Sequence, residues 1–182
     1  MKSVRTHFSP VQRVLHWAMA ALLFVMLFIG VVMVFTVSHL HSVLLVIHRP
    51  LGIALLLLVV IRFIVRMAHG SPPLPNDVPT LQHVAAKLTQ VAMYVMMAAM
   101  PLIGWSMLSA GGYPVVLFGA VHLLPIAPRD PVLFSSLRTL HTWLAFALFA
   151  TVLLHLAAAL FHGLIRRDGV LSSMTGWASR RG

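Results

Sequence analysis

Four stretches of the chain are almost unbroken in apolar residues: about Val14 to Phe35, Ile47 to Val65, Leu88 to Leu108, and Leu140 to Ile165. Each is close to the ~20 residues that carry an α-helix across the hydrocarbon of a bilayer. The pattern predicts an all-α fold, an integral membrane antiparallel four-helix bundle forming one domain over 1–182. The first stretch is longer than the apolar core of a secretory signal, and no small-x-small cleavage site follows it, so it reads as a retained helix.

The connections differ in character. Thr36 to Leu44 is short, and Gly70 to Pro79, GSPPLPNDVP, is rich in proline and reads as an extended strap. Ser109 to Pro131 is the longest and mixes glycine, proline and apolar residues. It is expected either to fold back on the membrane surface and cover something, or to be a plain interfacial connection. Pro101 and Gly104, in MPLIGW, predict a kink in the third helix.

Composition agrees with the pattern: 60% of residues are hydrophobic and 9% charged, against roughly 25% charged in soluble domains. The formal charge of +10 would suit a nucleic-acid binder, but its distribution follows topology. Lys2, Arg5, Arg13, Arg62, Arg66, Lys87, Arg166, Arg167, Arg180 and Arg181 fall on one side of the predicted membrane, and only Arg49, Arg129 and Arg138 on the other. That bias places both termini in the cytoplasm and leaves no case for a nucleic-acid partner. The absence of cysteine excludes disulfides, cysteine-held iron–sulfur clusters, thiolate-ligated haem and covalent c-type haem as intrinsic features.

Eleven histidines occur, and depth separates them. His7, His39, His41, His69, His83 and His122 fall in tails, loops or interfaces and read as solvated or interfacial. His16, His48, His141, His155 and His162 belong to or abut predicted spans, where ionisable residues are rare and face the bundle interior. His141 and His155 are fourteen residues apart, which returns a helix to within about 40° of its starting direction after a rise of roughly 21 Å. They share one face at two depths. Alternating helix direction then matches His48 with His141 at the outer level and His16 with His155 at the inner one.

Two facing imidazoles without a nearby carboxylate or thiolate suit axial ligation of a planar macrocycle better than zinc, which wants three or four protein ligands. The expected cofactors are therefore two haem b groups between helices, with His16, His48, His141 and His155 bound to iron. Both axial positions would be filled, which points to electron transfer rather than oxygen binding.

In order and spacing, RVLHW, IHRPLGIALLLLVVIRFIVR, MPLIGW, LHTWLAF, LLHLAAALFH and RRDGVLSSM resemble the bacterial cytochrome b561 family of dihaem inner-membrane proteins. The resemblance covers nearly the whole chain. It implies the same four haem ligands, and it implies that His162 stands beside the inner haem in a site for ubiquinone. Family members often carry a histidine at the position of Gln90, four residues before Tyr94; an amide can hydrogen-bond a quinone carbonyl but cannot relay a proton by changing charge. The resemblance further implies a membrane oxidoreductase passing electrons between the periplasm and the quinone pool, with superoxide as a donor in some members. The alternative it leaves open is an electron-transfer subunit serving a separate periplasmic dehydrogenase or hydrogenase. A haem-free transporter or structural module is a further alternative, disfavoured by the matched histidine depths.

Arg49 adjoins His48, and Arg138 lies three residues before His141. The first reading for both is a fork on a haem propionate. Others are electrostatic guidance of an anion, together with Arg129, or anchoring at lipid head groups. Arg62 and Arg66 are expected to reach phosphates or inner propionates.

Overall fold

The computed structural model describes residues 7–73 and 79–176. Lys2, Arg5, Asp77, Arg180, Arg181 and the middle of the proline-rich strap lie outside the described residues. Four long helices, α1 (Pro10–Phe35), α2 (His39–His69), α3 (Thr80–Ala110) and α4 (Pro131–Leu160), are each long and apolar enough to cross a membrane. Between α3 and α4 stands a small antiparallel hairpin, β1 (Val115–Leu117) and β2 (Val121–Leu123). A π-helical turn, Phe161–Arg166, continues α4, and the short α5 (Val170–Thr175) follows.

Capping rather than apolarity sets where the helices begin. Ser9 caps α1 in a reciprocal box with Gln12, and Pro10 opens the first turn. Ser38 caps α2 through Leu40 N–H, and the Asp130 carboxylate accepts from Val132 and Leu133 N–H at 2.7 and 3.0 Å ahead of α4. Each cap satisfies backbone donors that a helix start leaves unpaired. The helices therefore run past the apolar windows: α2 begins at His39, not near 47, α3 at Thr80, not near 88, and α4 at Pro131, not near 140. The first connection shrinks to Thr36–Ser38. A hydropathy window reports the hydrocarbon layer, while a capped helix of about 45 Å outlasts it at both ends.

The core is a thin apolar layer at mid-depth. Met19, Leu23 and Leu27 of α1, Leu55 and Val59 of α2, Met97 of α3, and Leu148 and Val152 of α4 are buried together. Most other large apolar side chains, such as Phe28 and Leu57, point outward, as a surface solvated by lipid tails requires. α1 packs along α2, α2 along α3, and α3 along α4, whereas α1 meets α4 only lightly. One seam of the bundle is thus loose.

Candidate functional site

The interior histidines meet where α4 faces α1 and α2, which pack on it far less than α3 does. His48 on α2 faces His141 on α4 near the hairpin end, with ring centroids 6.2 Å apart and planes at 65°. His16 on α1 faces His155 on α4 near the end that carries α5, at 6.3 Å and 72°. The structure brings the four residues together pairwise, at the two levels that their spacing predicts. A direct imidazole–imidazole hydrogen bond would draw the centroids to about 5 Å. One metal ion bonded to a nitrogen of each ring at about 2 Å puts them roughly 6.3 Å apart. Both gaps have the second size.

Small residues open room around the hairpin-end pair. Gly30 lies fourteen residues after His16, hence on the same face of α1 but at the height of His48 and His141, and a Cβ built there meets nothing within 4 Å. Gly104 lets α3 approach His141 so closely that a Cβ would stand 3.3 Å from its Cε1. The Met100 carbonyl lies beside the same ring, although Nδ1 of His141, like Nδ1 of His48, is buried without a hydrogen bond of standard geometry. A buried polar atom without a partner costs about 1–3 kcal/mol. A metal bond on one ring nitrogen fixes the proton on the other, where a backbone carbonyl is the usual acceptor. Arg49 Nε is also buried without a partner at this level, a donor left ready for a carboxylate.

The pair at the other end is held by side chains. Trp17 packs edge-on against His16 at 5.3 Å, and its indole N–H donates to Met174 O in α5 at 3.3 Å. Phe8 N–H donates to Ser173 O at 3.1 Å, so α5 ties the start of α1 to the end of α4. The Arg62 guanidinium acts electrostatically on both His16 and His155 and donates to Gln12 O at 3.4 Å. Beside it the Tyr94 hydroxyl is buried, short of hydrogen-bond geometry.

The other residues singled out from the sequence fall differently. Gln90 accepts from Arg66 Nη2 at 3.0 Å, and His162, in the π-turn, bonds through Nδ1 to Asp168 Oδ2 at 2.5 Å. Arg166 Nε reaches the same carboxylate at 3.3 Å, and Asp168 is only 7% exposed. Arg138 and Arg129 are exposed, with Arg129 lying along Gly112. Gly30, Met100, Trp17 and Asp168 were not singled out. Of these, Gly30 carried a usable signal, the fourteen-residue interval from His16, while the Asp168 contact reverses the chain and has no periodic signature. Among the described residues no three His, Cys, Asp or Glu side chains converge, so the donor set is that of opposed pairs.

A membrane-spanning bundle with two opposed imidazole pairs, each joining α4 to a facing helix at its own depth, has the architecture of a b-type electron-transfer cytochrome. The chain belongs to the prokaryotic cytochrome b561 family, whose profile matches residues 7–177. It is 27% identical to cytochrome b561 homolog 2 of Escherichia coli (strain K12) over 176 residues, covering 94% of this chain and 93% of that protein. It is 29% identical over 130 residues to the probable superoxide oxidase CybB of Yersinia pestis, covering 70% and 72%. Cytochrome b561 homolog 1 of E. coli is 27% identical over 128 residues, again covering 70% and 72%. Membership makes the protein an inner-membrane electron carrier that uses haem b.

Proposed function

We propose that the protein carries two haem b groups, one between His48 and His141 and one between His16 and His155, and that it conducts electrons from the periplasm to the quinone pool. The observation that carries this reading is the pair of 6.2 and 6.3 Å imidazole separations between α4 and the facing helices α2 and α1. The basic residues clustered at the end bearing both termini make that end cytoplasmic, so His48 and His141 form the periplasmic level. Haem held by such pairs would supply one-electron chemistry.

The surrounding residues do the rest. Leu148 and Val152 lie between the two levels on α4 and, with Met97 and Val59, exclude water from the space between them. Arg49 offers its unpartnered Nε to a propionate beside His48, and Arg138 reaches the second propionate or the lipid boundary. On the cytoplasmic side, Asp168 holds His162 by Nδ1 and leaves Nε2 to deliver a proton to a ubiquinone oxygen. Gln90, held by Arg66, offers amide N–H groups to a quinone carbonyl at the same end. On the periplasmic side the exposed Arg129 and Arg138 present positive charge to an anion. Superoxide fits that charge and is the substrate named for the Yersinia relative, which favours it as the donor here.

The test is a pyridine haemochrome assay with reduced-minus-oxidised spectra on the wild type and on His155→Ala. Two haems b per chain falling to one in the variant is the expected result, and an unchanged haem content in the variant would overturn the ligand assignment. In quinone-loaded proteoliposomes, superoxide should reduce the haem from the periplasmic face faster than it dismutates. Reduction only when a periplasmic dehydrogenase or hydrogenase is added would replace superoxide with a protein donor.

A further inference from the structure

The hairpin between α3 and α4 carries a feature that the electron path does not use. Its turn, Leu117–Ala120, is closed by Ala120 N–H donating to Leu117 O at 3.1 Å, with φ of +52° at Phe118 and +72° at Gly119. Two successive positive φ values define the turn favoured by Asn-Gly, whose first central position disfavours a bulky side chain. A phenylalanine occupies it, and 85% of its surface is exposed. Nothing within the fold repays that placement.

The hairpin is not loosely hung. Trp105 Nε1 donates to Leu124 O at 3.0 Å, Ile126 N–H to Ser109 Oγ at 3.1 Å, and Asp130 N–H to Ala110 O at 3.0 Å. Val115 and Leu117 are buried, and β1 packs on α2 and α3. These ties fold the hairpin back along α2. Between them runs a cleft of about 340 Å³ lined by Val46, Ile47, Pro50, Val116, Phe118 and Gly119. Val46 and Ile47 lie seven and eight residues into α2, roughly 10–12 Å below its periplasmic end. An α2 of about 45 Å overhangs a 30 Å hydrocarbon layer by several ångströms on each side, so the cleft sits at the upper edge of that layer. Its α2 wall continues the lipid-facing surface, with Val43, Val46 and Ile47 exposed.

We propose that the hairpin is a membrane wedge: Phe118 inserts into the periplasmic leaflet, and the cleft beneath it holds one phospholipid acyl chain. The strands pair with each other and the returning chain is tied to α3, which lowers the cost of placing the hairpin's backbone at the hydrocarbon edge. The exposed apolar tip is then solvated by lipid rather than water, which accounts for a phenylalanine in a turn that disfavours it.

The lack of cysteine makes the test direct. Phe118→Cys is spin-labelled in phosphatidylcholine nanodiscs, with Leu57→Cys as the lipid-facing reference and Ser135→Cys as the aqueous one. An intact haem spectrum serves as the folding check. The ratio of oxygen to nickel-chelate accessibility at 118 should lie between those at 57 and 135 and exceed that at 135 several-fold. A fluorophore on Val116→Cys should be quenched by phosphatidylcholine brominated high on its acyl chains. A ratio at 118 equal to that at 135 would overturn the wedge. Absence of bromine quenching, or its reversal by equimolar ubiquinone, would overturn the acyl-chain occupant.

Discussion

In the proposed orientation, the periplasmic and cytoplasmic imidazole pairs sit at matching depths of the bundle, yet their surroundings differ in kind. Fourteen-residue intervals relate His16 to Gly30 on α1, His48 to Arg62 on α2, Gln90 to Gly104 on α3, and His141 to His155 on α4. At the periplasmic level the faces of α1 and α3 present glycines. At the cytoplasmic level those of α2 and α3 present a guanidinium and an amide. The upper site is shaped by what is missing, with open space at Gly30 and the close approach of α3 at Gly104. The lower one is shaped by charge and by the α5 clamp acting through Trp17. One repeat of helix geometry thus gives two sites with equal ligand spacing but unequal electrostatics. Arg62 beside His16 and His155, like Arg49 beside His48, would favour the reduced state of a haem held there.

Filling the space is the strongest way to break the comparison. Gly30→Phe places a ring where the structure leaves a void, and it should halve haem content by emptying the periplasmic site alone. The remaining haem should keep the spectrum retained in a His141→Ala variant, and equal loss from both levels would show that Gly30 does not belong to one site. Arg62→Gln sharpens the electrostatic half. A unit charge several ångströms away at an effective dielectric of 20 is worth about 1–2 kcal/mol, so the cytoplasmic haem should fall by about 40–90 mV in redox titration, at the 59 mV per tenfold of a one-electron couple. The periplasmic haem should move little. The smallest effect on the haems is expected from Asp168→Asn, which leaves the His162 and Arg166 partners but removes the buried charge. Stability should drop by about 1–3 kcal/mol, seen as a lower apparent Tm in nanodiscs with both haems retained.

Much of this was legible in the sequence because a bilayer enforces two simple rules: spans are long and apolar, and buried polar residues need a reason. Those rules gave the four helices and sorted His16, His48, His141, His155 and His162 from the other histidines by depth. The fourteen-residue interval on α4 then paired them. What escaped depends on contacts without periodicity. The hairpin hides within an apolar, glycine-rich loop whose three-residue strands are too short to show alternation. The helix starts at His39, Thr80 and Pro131 follow capping or the connecting chain rather than hydropathy. His162 lies on the face of His155 by count, yet its partner is Asp168 beyond the π-turn, a contact made by the chain folding back. The partner of Gln90, Arg66, comes from a neighbouring helix and not from any local pattern.

The most direct measurement on the two-haem arrangement is low-temperature electron paramagnetic resonance of the oxidised protein. Ring planes at 65° and 72° should give two low-spin ferric signals, both of the strongly anisotropic type produced by nearly perpendicular axial imidazoles. His48→Ala should abolish one and His16→Ala the other. A single low-spin signal, or a high-spin signal in the wild type, would contradict iron held between opposed histidines at both levels.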